Sequence, residues 1–247
     1  MFAVMETPSF SNVYQQPSAA DLAYFEQLLP ERCLSKQEDL SDYSHDHTED
    51  LVYYPGLVLI PISTEEVAQI MRYCNEQRIA VTAAGARTGL SGGCLPIYGG
   101  VLLSTEKLNQ IIEIDEKNAQ VITQPGVITE VLQNAVREKG LFYPPDPASK
   151  GSCFIGGNIS ENSGGPKAVK YGVTKDYVLN LEIVLADGTI MWTGANVLKN
   201  ATGYNLTQLI VGSEGTLAIV TKIVLKLIPH PTHDLLMLVP FFDAQQA

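Results

Sequence analysis

The sequence predicts an α+β fold, in which a small parallel β/α lobe precedes a larger, mainly antiparallel β lobe with flanking helices. In the first half, short β-rich runs alternate with a helical pattern, which is typical of parallel strands. In the second half, two β-rich runs flank the sequence Ala-Asp-Gly-Thr at 186–189, which predicts a hairpin. We therefore expect a leader and helix in residues 1–50, a first lobe at about 51–115 and a second lobe at about 116–229.

The first lobe is expected to contain one helix and four strands. Ser63 and Glu66 have the spacing of a capping box, and helical periodicity then continues to Gln77. The apolar face of this helix is expected to consist of Val67, Ile70, Met71 and Cys74. The expected strands are residues 58–62, 79–83, 101–104 and 111–114, and an earlier helix covers residues 21–29.

The second lobe is expected to combine an amphipathic helix with antiparallel strands. Residues 127–139 have a helical pattern that turns Val131, Leu132, Ala135 and Val136 inward. The expected strands are residues 120–124, 178–185, 190–193 and 217–228, the last one alternating and stopped by a proline, and a short helix covers 206–211. Residues 141–175 are rich in Gly, Pro, Ser and Asn and lack periodicity, which is typical of a functional loop.

Composition excludes several classes of function. The net charge is −11 and there is no Lys/Arg cluster, so a nucleic-acid partner is not expected. The four cysteines are widely spaced, which fits neither a zinc nor an iron–sulfur site and favours a reducing cytoplasm. The first ten residues do not resemble a signal peptide, and no apolar run is long enough to cross a membrane. Peripheral attachment to the inner membrane is left open.

A glycine-rich run directly follows the second expected strand. Residues 84–93 read Ala-Gly-Ala-Arg-Thr-Gly-Leu-Ser-Gly-Gly, and such small residues let backbone N–H groups approach an anion. Thr88 and Ser91 add hydroxyl donors. The spacing is neither GxGxxG nor a P-loop, because Gly85 and Gly89 are four residues apart and no Gly-Lys-Ser/Thr follows. On glycine content alone, a tight surface turn explains the run equally well.

Several separated motifs resemble those of one known family. They are residues 50–56, Pro61 with 63–67, 85–93, 125–127, 143–149, 155–165, 171–174 and 213–221. Their order and spacing are similar to those of the FAD-binding domain of the vanillyl-alcohol oxidase/PCMH superfamily, and of its GlcD-like branch in particular. This branch includes glycolate oxidase subunit GlcD and D-lactate dehydrogenase. The resemblance covers residues 44 to 229 and implies a PCMH-type fold with FAD held non-covalently between two lobes.

The resemblance also implies which residues bind FAD. Residues 85–93 match the first pyrophosphate loop, residues 143–165 the second flavin loop, and residues 213–221 a strand beside the adenine and ribityl groups. The expected FAD-binding residues are Ala84, Gly85, Ala86, Arg87, Thr88, Gly89, Leu90, Ser91, Gly92, Pro125, Gly126, Pro145, Asp146, Pro147, Ser149, Gly156, Gly157, Asn158, Glu161, Asn162, Ser163, Gly164, Tyr171, Gly172, Gly215, Thr216, Leu217 and Ile219. FAD needs amide-lined turns for its phosphates and an apolar slot for its ring. The candidates for that slot are Leu90, Ile155, Ile159, Leu217 and Ile219.

Two features depart from the family pattern. Arg87 stands where the GlcD-like branch often has glycine, and we expect its guanidinium on the cofactor side, where a cation gains energy beside a diphosphate. Members with a covalent flavin use His or Cys at flavin-facing positions. No histidine lies between His47 and His230, and neither Cys94 nor Cys153 matches an attachment position. Both cysteines are expected to be small buried residues.

The sequence does not assign a catalytic residue or a metal site. Oxidation of a 2-hydroxy acid, with hydride transfer from its C–H to flavin N5, calls for a base and for a cation that binds the carboxylate. The candidates are His45, His47, His230, His233, Lys167, Lys170, Lys175 and Glu161. A solvated or linker role is the simpler interpretation of each histidine and lysine. Glu161 is expected to order its loop by accepting hydrogen bonds.

Residues 230–247 stand where the family continues into a substrate-binding cap domain. One hypothesis is that the chain is the FAD-binding part of an FAD-linked oxidoreductase acting on CH–OH groups, inactive without that domain. The alternative is a stand-alone FAD-binding module or subunit that acts with a separate catalytic partner chain. The expected small-molecule partners are a hydroxy acid and an electron acceptor. A cell-wall precursor reductase is a third reading, with a poorer match in the loops.

Overall fold

The structure is a computed structural model that describes residues 13–48, 50–235 and 237–246. The helices are α1 (Ala19–Leu28), α2 (Gln37–Leu40), α3 (Thr64–Gln77), α4 (Thr129–Arg137), α5 (Ile155–Glu161), α6 (Ala168–Tyr171) and α7 (Leu206–Ile210). The strands are β1 (Cys33–Leu34), β2 (Leu57–Leu59), β3 (Val81–Ala84), β4 (Val101–Ser104), β5 (Ile111–Asp115), β6 (Gln120–Thr123), β7 (Leu141–Phe142), β8 (Val178–Val184), β9 (Ile190–Trp192), β10 (Ile219–Lys226) and β11 (Ile228–Pro229). In these ranges no helix is long and apolar enough to cross a membrane.

The first sheet confirms the predicted parallel layer. Its strands lie in the order β1-β2-β4-β3, and β2 and β3 both pair in parallel with β4. Helix α3 packs Val67, Ile70 and Cys74 against this sheet, and Phe25 and Leu29 complete the core. The carboxyl ends of β3 and β4 therefore lie side by side, with the glycine-rich run leaving from β3.

The cap of α3 is only half of the predicted capping box. The Ser63 hydroxyl accepts a hydrogen bond from the Glu66 N–H at 3.2 Å, as expected. The Glu66 carboxylate, however, accepts from the Ile62 N–H at 2.8 Å and from the Arg32 guanidinium at 2.6 Å. The reciprocal bond to Ser63 is thus replaced by an ion pair with a distant arginine, which local spacing does not reveal.

The second sheet is antiparallel, with the order β5-β6-β10-β8-β9. The predicted hairpin is confirmed as β8 and β9. The strand at 111–114, which we expected in the parallel layer, belongs here instead, because β5 pairs with β6. The Asp115 carboxylate accepts from the N–H groups of Lys117 and Asn118 at 3.0 Å and closes the tight turn between them. A local hairpin therefore wins over the longer-range parallel pairing.

Three other predictions for the second lobe are wrong in detail. In α4, Val131 is exposed, and Gln133 is buried instead because its amide donates to the carbonyls of Tyr143 and Pro145. The stretch 141–175 contains β7, α5 and α6. Strand β10 does not alternate, because a register shift between Val220 and Lys222 lets Ile223 pack into the second core while Ile219 packs into the first.

The two lobes are joined by a buried carboxylate. Glu182 on β8 accepts hydrogen bonds from the Thr64 hydroxyl at the start of α3 at 2.7 Å and from the Thr221 hydroxyl on β10 at 2.9 Å. The Lys222 ammonium lies 3.0 Å from its other oxygen. This contact fixes the second sheet against the first lobe.

Candidate functional site

A groove lies where the lobes meet, at the carboxyl ends of β3 and β4 and the start of α5. It contains a central cavity lined by Gly85, Pro125, Gly157 and Gly215. A loop cavity, lined by Thr88, Ser149 and Asn158, adjoins one side. An apolar cavity of about 530 Å³, lined by Met71, Ile79, Leu95 and Leu217, adjoins the other. Gly93 lies on the wall of all three.

The first glycine-rich run, most of which lines this groove, carries a row of unpaired donors. The backbone N–H groups of residues 85–91 donate no hydrogen bond to any described residue. Arg87, in the middle of the run, has left-handed backbone geometry with a φ of 57°. Unpaired successive amides in such a turn form a concave anion-binding surface.

The second run lies directly opposite the first. A Cβ atom on Gly85 would be 3.8 Å from the backbone nitrogen of Gly157, whose N–H likewise has no partner among the described residues. A Cβ on Gly93 would be 3.3 Å from a carboxylate oxygen of Glu161. The two runs therefore face each other across a space that side chains at these glycines would begin to fill.

Most of the expected FAD-binding residues meet at this groove. Those that line it are Ala84, Gly85, Ala86, Arg87, Thr88, Gly89, Ser91, Pro125, Ser149, Gly156, Gly157, Asn158, Glu161, Ser163, Gly215, Thr216, Leu217 and Ile219. The others lie outside its walls and are Leu90, Gly92, Gly126, Pro145, Asp146, Pro147, Asn162, Gly164, Tyr171 and Gly172.

Several residues outside the walls hold the loops in shape. A Cβ on Gly126 would overlap the carbonyl oxygen of Thr105, so only glycine fits there. Asp146 accepts a hydrogen bond from the Lys167 N–H at 3.2 Å. Asn162 ends α5 in the left-handed conformation, and its side chain accepts from the Lys175 N–H at 2.9 Å. These three residues thus belong to the motifs because they hold the loops in shape.

The predicted apolar slot is only partly correct. Ile155 and Ile159 are fully buried in the second-lobe core, because residues four apart share one face of α5. Leu90 is 78% exposed. Ile219 and Leu217 do line the groove.

Several residues of the groove walls are not among the expected FAD-binding residues, although Gly93, Ser160, Glu214 and Ala218 lie within the matched motifs. They include Asp46, Gly93, Cys94, Thr105, Ser160, Glu214 and Ala218, and in the apolar cavity Tyr14, Met71, Cys74, Ile79 and Tyr98. The Glu214 side chain is adjacent to Gly215 within a recognised motif, so its position offered a signal. Asp46 offered none, because it lies in a polar stretch that suggested a solvated loop.

The groove contains both positively and negatively charged side chains. The Arg87 guanidinium lies 4.3 Å from the centre of the Tyr43 ring, at the edge of the loop cavity. Burial raises the pKa of the Glu161 carboxyl, and the nearby Glu214 and Asp46 carboxylates raise it further, against a hydrogen bond from Ser91. Protonation of Glu161 thus reduces the negative charge of the groove.

Of the candidate bases and cations, Glu161 lines the groove, whereas the histidines and lysines do not. All four histidines are described and none lines these three cavities; the His45 ring bonds the Ser41 carbonyl at 3.2 Å. Lys167 pairs with Asp146 at 3.8 Å and lies over the Phe142 ring. No group of three His, Cys, Asp or Glu suited to a metal ion occurs in the described ranges.

The groove fits a dinucleotide such as FAD. Facing amide donors and a glycine-walled space suit a diphosphate, which is an extended anion with oxygens on all sides. The apolar cavity on one side and the hydroxyl-bearing loop cavity on the other offer room for groups attached to each phosphate.

Comparisons with known proteins agree with this geometry. The sequence model of a family described as FAD binding domain matches residues 55–194. Glycolate oxidase subunit GlcD of Bacillus subtilis is 50% identical over 76% of this chain and 40% of the relative. D-lactate dehydrogenase of Anaerostipes hadrus is 42% identical over 92% of this chain and 48% of the relative. D-2-hydroxyglutarate dehydrogenase of Stutzerimonas stutzeri is 38% identical, over 87% and 47%.

Solved structures confirm the fold. An alkyldihydroxyacetonephosphate synthase superimposes with a TM-score of 0.77 at 20% identity, covering 92% of this chain and 44% of the synthase. The chain spans less than half the length of each of these relatives. The family match covers more than half of the chain and includes both glycine-rich runs. The chain therefore belongs to the FAD binding domain family, in its GlcD-like branch, and its cofactor is FAD.

Proposed function

We propose that the chain is the FAD-holding part of a flavin-dependent oxidoreductase that oxidises small 2-hydroxy acids of the D-lactate and glycolate type. The observation that carries this proposal is the row of free amides at 85–91 facing Gly157, in a chain whose relatives are named for hydroxy acids. Residues 51–229 form the FAD-binding unit, and residues 230–247 lead toward the substrate domain.

Different residues of the groove bind different parts of FAD. The amides of 85–91 and Gly157 hold the diphosphate, with Arg87 adding positive charge. The loop cavity, with the Thr88 and Ser149 hydroxyls, and the apolar cavity, with Leu217 and Ile219, take the groups attached to the two phosphates. When bound, FAD supplies the acceptor for a hydride from the substrate C–H.

The FAD is held without a covalent bond. Cys94 is the half-buried thiol beside the central and loop cavities, and burial raises its pKa to about 11. At neutral pH it is therefore a thiol, which is a poor nucleophile. Cys153 is buried and lies 3.2 Å from the Thr129 hydroxyl.

The hydroxy-acid site itself is proposed to lie outside the described residues, since no histidine lines the groove. The residues that bind the acid and remove its proton then belong either to the same polypeptide or, alternatively, to a separate catalytic partner chain. The chain described here positions the flavin and keeps it in a groove of defined shape. We place this function in the cytoplasm, a compartment that suits the four free cysteines.

The proposal is tested by adding D-lactate, glycolate or D-2-hydroxyglutarate to the purified, FAD-loaded chain without oxygen. We expect the absorbance of the oxidised flavin, at roughly 450 nm, to persist with this chain alone. Bleaching is expected once the domain or partner that binds the acid is supplied. Rapid bleaching by the chain alone would show that the acid site lies within it and would contradict the division of labour proposed here.

A further inference from the structure

The segment from Tyr43 to Thr48 forms hydrogen bonds with the outer side of the first glycine-rich run. The His47 N–H donates to the Gly89 carbonyl at 3.0 Å. The Asp46 carboxylate accepts from the Gly92 N–H at 3.1 Å. These contacts join a segment that precedes the first parallel strand to both the middle and the end of the run.

Asp46 is the centre of this contact. Its side chain is only 6% exposed, although it carries a charge and lies on the wall of the loop cavity. One oxygen accepts from the Thr48 N–H at 2.9 Å and from the Thr48 hydroxyl at 2.6 Å, and the other accepts from Gly92. A buried carboxylate is tolerated when donors satisfy it in this way.

The run needs such external support. Because the N–H groups of 85–91 bond to no described residue, they do not fix the shape of the run themselves. Ordering a loop costs conformational entropy, and a ligand that has to order its own site binds more weakly. A fixed contact at Gly89 and Gly92 lets the amides face the groove before the cofactor arrives.

We propose that Asp46 is a positioning residue, whose carboxylate holds the first glycine-rich run in the shape that accepts FAD. This inference rests on the proposed placement of the diphosphate at that run. Asp46 acts through Gly92 and Thr48, and no contact between its side chain and FAD is required.

The test compares the wild-type chain with Asp46→Asn. The amide has the same shape, but its NH₂ group has to face a backbone or hydroxyl donor on one side, so at least one of the hydrogen bonds that the carboxylate accepts is lost. The matched control is Asp42→Asn, which alters an exposed carboxylate four residues earlier. Two quantities are measured for each protein: the FAD dissociation constant, from quenching of flavin fluorescence, and the NMR backbone order parameters of residues 85–93 without FAD.

For Asp46→Asn we expect the dissociation constant to rise by about tenfold, since one hydrogen bond to a charged group is worth that much. The order parameters at 85–93 should fall, while those in β8 and β10 stay high. The control should match the wild type in both quantities. Unchanged order parameters at 85–93 or an unchanged dissociation constant would overturn the proposal, as would a uniform fall in order parameters across the chain.

A second variant keeps the proposal testable if Asp46→Asn does not fold. Thr48→Val removes only the hydroxyl donor and should weaken FAD binding by about threefold, with the same local fall in order parameters. The order-parameter measurement needs no cofactor. If the wild type failed to bind FAD, the proposed function would be contradicted, and the order parameters at 85–93 would still decide whether Asp46 holds the run.

Discussion

Gly85 and Gly157 face each other across the groove, and their surroundings differ. A Cβ on Gly85 would lie 3.8 Å from the backbone nitrogen of Gly157, whereas a Cβ on Gly157 would meet no atom within 4 Å. The chain itself therefore leaves space for a methyl group at 157, and the bound cofactor is what would occupy that space.

Gly157→Ala should separate cofactor binding from folding. Alanine in α5 should leave the free energy of unfolding unchanged or raise it by about 0.5–1 kcal/mol, because alanine favours helix more than glycine does. FAD affinity should fall by about tenfold or more, since the methyl group enters the space between the facing amides. Denaturant unfolding of the apoprotein and a flavin fluorescence titration measure the two effects.

Gly126→Ala is the matched structural control. Its Cβ would overlap the Thr105 carbonyl oxygen and lie 2.8 Å from that of Leu108, and Gly126 itself does not line the groove. This variant should lose about 2 kcal/mol or more of unfolding free energy. If Gly157→Ala bound FAD as tightly as the wild type, the diphosphate would not lie between the two runs.

Arg87→Gly tests whether the arginine attracts the diphosphate. Glycine relieves the left-handed backbone at φ 57° but removes the contact with the Tyr43 ring, so stability should change by no more than about 1 kcal/mol. FAD affinity should fall several-fold (about 0.5–1.5 kcal/mol) at low salt, and by less at high salt. Arg78→Gly is the control, because Arg78 has a φ of 56° at the end of α3 but does not line the groove. Tighter FAD binding by Arg87→Gly would contradict the placement.

FAD affinity should fall as pH rises, because of Glu161. Burial and the charges of Glu214 and Asp46 raise the pKa of its carboxyl above the ordinary value of 4.5. A carboxyl with a raised pKa binds a proton more readily in the folded chain, so its contribution favours folding at low pH and is lost as pH rises toward the raised pKa. A bound diphosphate adds negative charge and raises that pKa further, so FAD binding takes up a proton.

Dissociation constants measured between about pH 5 and 8 check this prediction. Glu161→Gln should flatten the pH dependence and bind FAD at least as tightly as the wild type does at the acidic end. Glu113→Gln, an exposed change on β5, should leave the dependence intact. An affinity that increases with pH in the wild type would show that the sign of this argument is wrong.

The contact between the lobes at Glu182 should matter most above acidic pH. Burial raises the pKa of this carboxyl, but hydrogen bonds from Thr64, Lys222 and Thr221 outweigh burial and hold the pKa below its ordinary value. Its stabilising contribution is therefore present above the ordinary carboxyl pKa and is lost as pH falls through the lowered value. Glu182→Gln should reduce the unfolding free energy at pH 7 by about 2 kcal/mol and by less in acid. An equal loss of unfolding free energy at pH 7 and in acid would contradict this role of Glu182.

The sequence predicted the parts of the fold that depend on local patterns. Helix α3, strand β4 and the β8–β9 hairpin lie where periodicity and turn residues placed them. The strand at 111–114 was assigned to the wrong sheet, because the tight turn at Asp115 pairs β5 with β6 as a local hairpin, which strand periodicity alone does not reveal.

The site was predictable to a similar extent. The glycine-rich runs, Ser149 and Gly215 carry recognisable motifs, and the structure brings them to one groove. Ile155 was misplaced because the motif does not say which face of α5 is buried. Asp46 was missed because its role depends on a contact with Gly92, a residue far along the chain.

A titration of the purified apoprotein with FAD tests the central claim most directly. If the facing runs grip the diphosphate, flavin fluorescence should be quenched to saturation at about one FAD per chain, and acid should release the flavin intact. If circular dichroism shows that the protein is folded and flavin fluorescence nevertheless stays unchanged, the claim is contradicted.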